Sequence, residues 1–320
     1  MADVQERFPL PAFPNGWFKV CYSDELRPGE VRRVHLVGRE LVAFRGEDGR
    51  AHVLDAYCPH LGAHLAVGGR VVGDTIRCPF HGWRFEGASG RCVEVPYARK
   101  IPPKAEVACW PALEQNGFVA SWFHAEAKPP EWTPPAIPET ADPGYHLWGR
   151  RRWELSAHLQ DLYENGFDVA HFRTLHGMDV KGVNLTAEGP VMKLHLEFGR
   201  EAAAQSSAEG MAVIRSFMWG PGLSLTRVAG LLDGVSVQSL TPIDPGKMEL
   251  THNYYVRNDS NPEAVSGFFD YYAKDWELDM PLWNTKLFRP KPVLAEGDGD
   301  IGRFRKWYRQ FYSEPVEVDF

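Results

Sequence analysis

The sequence predicts an α+β protein made of two parts. From Trp17 to about Trp122, short β-branched and aromatic runs alternate with turn sequences such as Arg27-Pro28-Gly29, a pattern typical of a small all-β domain. In the second part, strand-like runs are followed by a helical stretch from Pro262 to about Lys286 and another from Ile301 to Tyr312. We therefore expect an all-β N-terminal domain followed by a domain with an antiparallel sheet flanked by helices.

A Pro-rich segment that includes Lys128–Pro135 separates the two parts. Such a segment is a stiff linker, so we expect one domain over residues 1–127, a linker over 128–144 and a second domain over 145–320. A first helix is expected from Ser156 to Val169, with Ser156 as its N-cap. The strands expected in the second domain are Val191–Phe198, Met211–Met218, Leu223–Val228, Val235–Leu240 and Glu249–Val256.

The composition limits the classes of protein to which the chain can belong. It has 320 residues, 44% hydrophobic residues and a net charge of −7. No Lys/Arg block of the kind that binds nucleic acid is present, and no apolar stretch is long enough to span a membrane. The first residues are polar rather than those of a signal peptide, and the chain has only five Cys, so we expect a cytoplasmic protein.

Two short motifs each combine one Cys with one His. They are Cys58-Pro59-His60 and Cys78-Pro79-Phe80-His81, in Gly-containing loops. Two thiolates and two imidazoles are the ligands of a [2Fe-2S] cluster in which both His bind one iron and both Cys bind the other. A structural zinc site would use the same donors. Zinc motifs, however, usually begin with two closely spaced Cys or end with two closely spaced His, whereas each motif here mixes the two.

A second group of possible ligands begins in the predicted first helix of the second part and continues just beyond it. Asp168 and His171 are three residues apart and share a helix face, and His176 follows close to Gly177. Two imidazoles and one carboxylate form the facial triad of mononuclear non-haem Fe(II) oxygenases. The alternative is that both His are capping or packing groups.

Together these motifs resemble the Rieske non-haem iron oxygenases. The first match runs through Cys58–His64 and Cys78–Phe85, and the second is an Asn-x-x-Asp-x-x-His-x(4)-His pattern that begins at Asn165 and ends at His176. The disulfide-containing Rieske form has one extra Cys in each loop, and Ala63 and Phe80 stand at those two places here. The resemblance therefore implies a Rieske domain followed by a catalytic domain.

The resemblance also implies roles for individual residues. Cys58, His60, Cys78 and His81 would hold the cluster, and His171 and His176 would bind iron. Asp168 would join His171 to the cluster ligand His81 of a neighbouring subunit in a head-to-tail homotrimer, with Asn165 nearby in a supporting role. The third iron ligand is expected on the long helix, where Asp270, Asp275, Glu277 and Asp279 are candidates. The stretch from Asp279 to Lys286 resembles the Asp-x-x-Ile/Leu-Trp-x-x-Lys segment that carries the family ligand, so Asp279 is the candidate that we choose. Pro281 would perturb the helix there.

The C-terminal stretch from Lys291 to Ser313 resembles the branch that contains 3-ketosteroid 9α-hydroxylase oxygenase components and cholesterol 7-desaturases. An apolar sterol or 3-ketosteroid substrate, hydroxylated or desaturated with O₂, is therefore expected. Because no nucleotide-binding motif is visible, NAD(P)H would act only through a separate ferredoxin or ferredoxin reductase. The pocket candidates are Met211, Phe217, Met218, Trp219, Leu223 and Leu225.

Two other functions stay open at this point. An oxygenase that acts on an aromatic acid or an aryl methyl ether could use Arg215 or Arg227 to bind a carboxylate. A Rieske ferredoxin that only carries electrons would need no second domain.

Overall fold

The structure, a computed structural model, describes residues 4–198, 213–229 and 234–315. The chain forms two compact units. The smaller unit comprises Phe18–Phe123 and Ala127–Glu131, and the larger unit comprises Met1–Trp17, His124–Glu126 and Trp132–Phe320. The α+β class is confirmed, because the smaller unit is built of strands and the larger one combines a sheet with helices.

The smaller unit consists of short antiparallel strands. They are β1 (Gly16–Tyr22), β2 (Val31–Leu36), β3 (Arg39–Arg45), β4 (Ala51–Asp55), β5 (Arg70–Val72), β6 (Thr75–Arg77), β7 (Arg84–Glu86), β8 (Cys92–Glu94), β9 (Cys109–Trp110), β10 (Ala112–Gln115) and β11 (Phe118–Phe123). Three sheets result, with the orders β1-β11-β10, β2-β3-β4-β9 and β5-β6-β7-β8.

The core of the smaller unit surrounds the two Cys/His loops. One loop follows β4, and the other joins β6 to β7. Cys58 and Cys78 pack against fully buried side chains that include Phe44 and Phe85. Both loops are therefore anchored on sheets whose side chains are fixed by packing.

The larger unit contains one antiparallel sheet of seven strands. The strands are β12 (Tyr145–Leu155), β13 (Val180–Glu188), β14 (Val191–Phe198), β15 (Val213–Trp219), β16 (Leu223–Ala229), β17 (Gly234–Asp244) and β18 (Lys247–Arg257). Their order is β12-β18-β17-β16-β15-β14-β13, so β13 to β18 form a meander and β12 pairs with its last strand. The expected strands lie within these elements, except that Met211 and its neighbour fall outside the described residues.

The helices are α1 (Val4–Arg7), α2 (Leu159–Glu164), α3 (Val169–Thr174), α4 (Pro262–Trp283) and α5 (Ile301–Tyr308). The long helix α4 begins where its sequence predicts, because Asn261 Oδ1 accepts hydrogen bonds from the main-chain N–H groups of Glu263 and Ala264. Within the described ranges, no helix is both long and apolar enough to cross a membrane.

The single helix expected from Ser156 to Val169 is wrong. Helix α2 is capped by His158, whose ring Nδ1 accepts from the N–H of Gln160. It ends at a 3-10 turn that contains Gly166, and α3 then begins after Asp168. Gly lowers helix stability, and Asp favours N-cap positions, so the chain breaks between these residues.

Candidate metal centres and adjoining cavity

The four Cys and His side chains of the two loops come together in the smaller unit. His60 Nδ1 lies 3.2 Å from His81 Nδ1. Both Cys58 and Cys78 are only 3% exposed, whereas the two imidazoles are half-buried. Two sulfur donors therefore lie inward, and two nitrogen donors lie closer to the surface.

The two loops have the same backbone construction. The N–H of Gly62 donates to the carbonyl of Cys58 at 2.9 Å, and the N–H of Gly82 donates to the carbonyl of Cys78 at 3.1 Å. Both glycines have left-handed φ angles, +76° and +75°. Residues with a side chain rarely adopt this conformation, so Gly at these two positions lets each loop close tightly around its ligands.

This donor set fits a metal cluster. Burial, with a contribution from Cys78, raises the pKa of the Cys58 thiol to about 11, so the thiolate form needs a nearby positive charge. The His60 ring stacks on Trp83 with centroids 4.7 Å apart, which fixes the imidazole plane. Two inward sulfurs and two facing ring nitrogens are the arrangement that a His₂Cys₂ [2Fe-2S] cluster requires.

A second set of donors converges in the larger unit. His171 on α3, His176 just beyond α3 and Asp279 on α4 each offer a ligand atom, and these atoms lie within 4.8 Å of one another. His176 Nε2 lies 3.4 Å from Asp279 Oδ2, and both side chains are almost fully buried. Two imidazoles and one carboxylate match the facial triad of non-haem Fe(II).

The His171 ring is held in the tautomer that a metal ligand needs. Its Nδ1–H donates to the main-chain carbonyl of Asp168, and its Nε2 lies 3.0 Å from Asn165 Nδ2. Burial lowers the pKa of His171, which favours the neutral ring with a lone pair on Nε2. The Asp168 carboxylate accepts instead from the main-chain N–H of His171, at 3.3 Å.

His176 lies between two carboxylates of α4. Asp279 lies on its Nε2 side, and Asp275 Oδ1 lies 2.8 Å from its Nδ1. The ring N–H is not aligned with the Asp275 oxygen, so this contact is electrostatic rather than a well-formed hydrogen bond. Burial alone would lower the pKa of His176, but the two carboxylates outweigh burial and raise it to about 9.

The four acidic candidates on α4 thus lie in different environments. Asp270 is exposed and pairs with Arg151 at 2.9 Å. Glu277 is also exposed, and its Oε1 accepts from Trp153 Nε1 at 3.2 Å. Asp275 lies one helical turn before Asp279 on the same face, and this i, i+4 spacing is the sequence feature from which its position behind His176 could have been inferred.

A cavity adjoins the second set of donors. It is lined by α2, by the segment around α3, by the inner face of β14 to β17 and by α4. The lining residues outside the His/Asp group are mostly apolar; among them are Leu162, Phe172, Leu194, Leu196, Ile214, Met218, Phe268 and Trp276.

Only Met218 of the described pocket candidates lines the cavity. Successive strand residues point to opposite faces, and Ser216, Met218 and Ser224 face inward, so Phe217 and Leu225 face the other side of the sheet. Trp219 and Leu223 are buried away from the cavity.

Neither candidate Arg lines the cavity. Arg227 pairs with Glu139, with Nη2 2.9 Å from Oε2. Arg215 is exposed and lies opposite Arg227 in the sheet register. Within the part of the chain that the structure describes, the cavity lining contains no Arg or Lys.

Comparison with known families gives two matches. Residues 16–111 match the Rieske [2Fe-2S] domain, and residues 121–312 match the 3-ketosteroid 9alpha-hydroxylase C-terminal domain.

Sequence relatives match nearly the whole chain. Cholesterol 7-desaturase nvd 1 of Ciona intestinalis is 38% identical over 95% of this chain and 70% of its own length. The cholesterol 7-desaturase of Caenorhabditis elegans is 35% identical over 95% of this chain and 78% of its own length. A probable 3-ketosteroid-9-alpha-monooxygenase oxygenase component of Rhodococcus rhodochrous is 30% identical over 97% of this chain and 82% of its own length.

Solved structures share the fold at lower identity. Dicamba monooxygenase bound to dicamba has a TM-score of 0.74 at 18% identity, covering 93% of this chain and 97% of its own. NdmB of Pseudomonas putida CBB5 has a TM-score of 0.74 at 18% identity, covering 93% of both chains.

Proposed function

Because the chain belongs to the Rieske non-haem iron oxygenases, in the branch of the cholesterol 7-desaturases and 3-ketosteroid 9α-hydroxylase oxygenase components, we propose that it is a terminal oxygenase acting on a sterol or 3-ketosteroid. The enzyme uses O₂ and electrons from a partner to hydroxylate or desaturate this substrate. The observation that carries the proposal is the cavity, which is mostly apolar and has the His171, His176 and Asp279 group in its wall.

Two metal groups are assigned to the two sets of donors. Cys58, His60, Cys78 and His81 hold a [2Fe-2S] cluster, and the His171, His176 and Asp279 group holds mononuclear Fe(II). When bound, the cluster supplies electrons one at a time and the Fe(II) supplies O₂ activation.

The other residues orient the ligands and keep the cavity dry. The carbonyl of Asp168 and the amide of Asn165 fix the ring and tautomer of His171. Asp275 faces the opposite side of His176 from Asp279. The apolar lining excludes water and leaves dispersion and shape as the main sources of substrate affinity.

An apolar substrate is favoured over an aromatic acid. A carboxylate bound in a cavity needs a compensating cation, because an unpaired buried charge is costly. Both candidate Arg side chains lie away from the cavity, and Arg227 already pairs with Glu139. The structural similarity to dicamba monooxygenase, at 18% identity, supports the fold alone.

In this proposal the path for electrons between the two metal sites would cross a subunit boundary. We assign residues 1–127 to the Rieske domain, 128–144 to the linker and 145–320 to the catalytic domain of a cytoplasmic homotrimer, although Met1–Trp17 belong to the larger compact unit. Asp168 links His171 to His81 of a neighbouring subunit.

Apolar side chains beside the cluster histidines, Leu61 and Phe80, are 66% and 61% exposed, as expected for a surface that a partner covers. A ferredoxin or ferredoxin reductase delivers electrons from NAD(P)H.

A product assay tests the substrate class. Reduced enzyme is incubated in air with sterols, 3-ketosteroids and aromatic acids, and product masses are measured. A mass gain of one oxygen or a loss of two hydrogens on a sterol or ketosteroid is expected. Turnover of aromatic acids alone would contradict the proposal. Iron content tests the class itself: an oxygenase holds three irons per chain, whereas a Rieske ferredoxin holds two.

A further inference from the structure

The sheet face that lines the cavity changes from apolar to polar along the strand order. On β14 its inward residues are Leu194 and Leu196. On the next strands the register brings Ser216 opposite Thr226 and Ser224 opposite Gln238. Tyr272 of α4 lines the cavity close to Gln238. We call these five polar residues the polar wall: Ser216, Ser224, Thr226, Gln238 and Tyr272.

The polar wall is one hydrogen-bonded network centred on Gln238, which is 1% exposed. The amide Nε2 of Gln238 donates to Thr226 Oγ1 at 3.0 Å, and its Oε1 accepts from Ser224 Oγ at 3.0 Å. The hydroxyl of Ser216 lies 3.2 Å from that of Thr226, and the hydroxyl of Tyr272 lies 3.4 Å from Gln238 Nε2. These contacts fix where each hydroxyl oxygen lies, while its proton can rotate to donate or leave a lone pair to accept.

Such a network is a costly way to fill the inner face of a sheet. Buried polar groups lose their bonds to water, and internal hydrogen bonds largely offset that loss rather than exceed it. The same face of β14 is filled by leucines, so the fold tolerates apolar side chains there. A few convergent polar groups in an apolar cavity are the usual means by which a binding site fixes the orientation of a ligand.

The polar wall lies apart from the candidate iron ligands along α4. Tyr272 and Asp279 are seven residues apart, which corresponds to about 10 Å along a helix, and both line the cavity. A rigid ligand held at the polar wall could therefore present a carbon atom several bonds away from its polar group to the His/Asp group.

We propose that the polar wall is the subsite for the single hydroxyl or keto oxygen of a rigid, otherwise apolar polycyclic substrate. The inference rests on the proposed function and adds the orientation of the substrate. Hydroxyl groups in the wall can donate to a keto oxygen and can both donate to and accept from a hydroxyl group. The described lining residues include no Arg or Lys, and the polar wall itself carries no charged side chain, so the subsite suits a neutral oxygen rather than a carboxylate.

The test compares two ligands that differ only in this oxygen: cholesterol and 5-cholestene, which lacks the 3-hydroxyl group. Dissociation constants are measured with the iron-loaded, oxidised enzyme by equilibrium partition from a cyclodextrin complex. We expect the wild type to bind cholesterol at least tenfold more tightly than 5-cholestene. Thr226→Val, which keeps the side-chain shape, should weaken cholesterol binding about tenfold and change 5-cholestene binding by less than about threefold.

Thr251→Val is the matched control. Thr251 is fully buried in the same sheet, its hydroxyl lies 2.6 Å from that of Ser239, and it does not line the cavity. This control should lose stability but keep the preference for cholesterol. Tyr272→Phe provides a second variant of the polar wall if Thr226→Val does not fold.

The possible outcomes separate the two proposals. An unchanged preference for cholesterol in the folded wall variants, or equal binding of both ligands by the wild type, would overturn the subsite and leave the proposed function standing. If the wild type binds neither these ligands nor a 3-ketosteroid, the sterol substrate is refuted and the subsite with it.

Discussion

Replacing Asp275 by Asn should weaken metal binding at the His/Asp group while leaving the cluster intact. Asp275 Oδ1 lies 2.8 Å from His176 Nδ1, on the side of the ring opposite Asp279. A carboxylate behind a metal-bound imidazole makes the ring a stronger donor, and losing such a partner typically costs about 10–100-fold in metal affinity. At about 1.4 kcal/mol per factor of ten, that loss is about 1.4–2.8 kcal/mol.

The protonation state of His176 determines the pH range in which the lower metal affinity of Asp275→Asn can be measured. In the metal-free protein the two carboxylates, working against burial, raise the pKa of His176 to about 9. Because this value is above that of the unfolded chain, the stabilisation is complete below about pH 6.5 and is lost as the pH rises through about 9. A metal must displace this proton, so its apparent affinity should rise roughly tenfold per pH unit between about 7 and 9.

Asp275→Asn removes one of the two carboxylates, so the pKa of His176 should fall back towards its usual range. The rise in metal affinity should then level off at a lower pH. The full 10–100-fold deficit is therefore expected near pH 9, with a smaller deficit at pH 7, where the wild type pays more to release its proton.

Anaerobic calorimetric titration with Fe(II) or Co(II) at several pH values measures both the affinity and the proton release. Asp270→Asn is the control, because it makes the same chemical change on the same helix at an exposed residue that pairs with Arg151. Wild-type affinity and wild-type pH dependence in Asp275→Asn would refute this role for Asp275.

Three further predictions concern the assigned ligands and the bridge. Cys58→Ser should abolish the visible absorption of the cluster, and purified wild type that contains only zinc would contradict the cluster. His176→Ala or Asp279→Ala should lose one iron per chain and keep the cluster spectrum, because the two sets of donors lie in different units; full iron content in Asp279→Ala would exclude it as a ligand. Asp168→Asn should keep its iron and a reducible cluster but lose turnover by more than about 100-fold. Wild-type rates of single-turnover reduction of the mononuclear site by the pre-reduced cluster would rule out the bridge.

The cluster loops could be inferred from sequence because their ligand spacing is local. Each Cys/His pair lies within four residues, and the Gly at which the loop turns follows in the next few positions. The second site also has a local part, since His171 and His176 follow a short pattern. Asp279 lies more than a hundred residues further on, and the sequence offered four acidic candidates that only the packing of α4 separates.

The cavity lining on β16 and β17 could not be inferred because these two strands are buried on both faces. Residues 223–226 of β16 and all of β17 except its ends are buried, so the alternation of burial that normally distinguishes the two faces of a strand is absent there. Large apolar residues were therefore expected to line the cavity. The residues that do line it on β16, Ser224 and Thr226, are small and polar, and only the register with β15 and β17 brings them together.

The break between α2 and α3 makes the two candidate iron imidazoles inequivalent. Asp168 has φ −82° and ψ 89°, outside the helical region, and its carbonyl turns to the ring Nδ1 of His171. His176 lies beyond the end of α3 and meets a charged carboxylate from α4. The Asp275 carboxylate acts on the His176 ring through its charge rather than through a well-formed hydrogen bond, and it should still strengthen the imidazole as a metal ligand more than a neutral carbonyl does. His176 should therefore bind a metal more strongly than His171. A single continuous helix would lack the break at Asp168. That break gives the two histidines different partners and therefore different strengths as metal ligands.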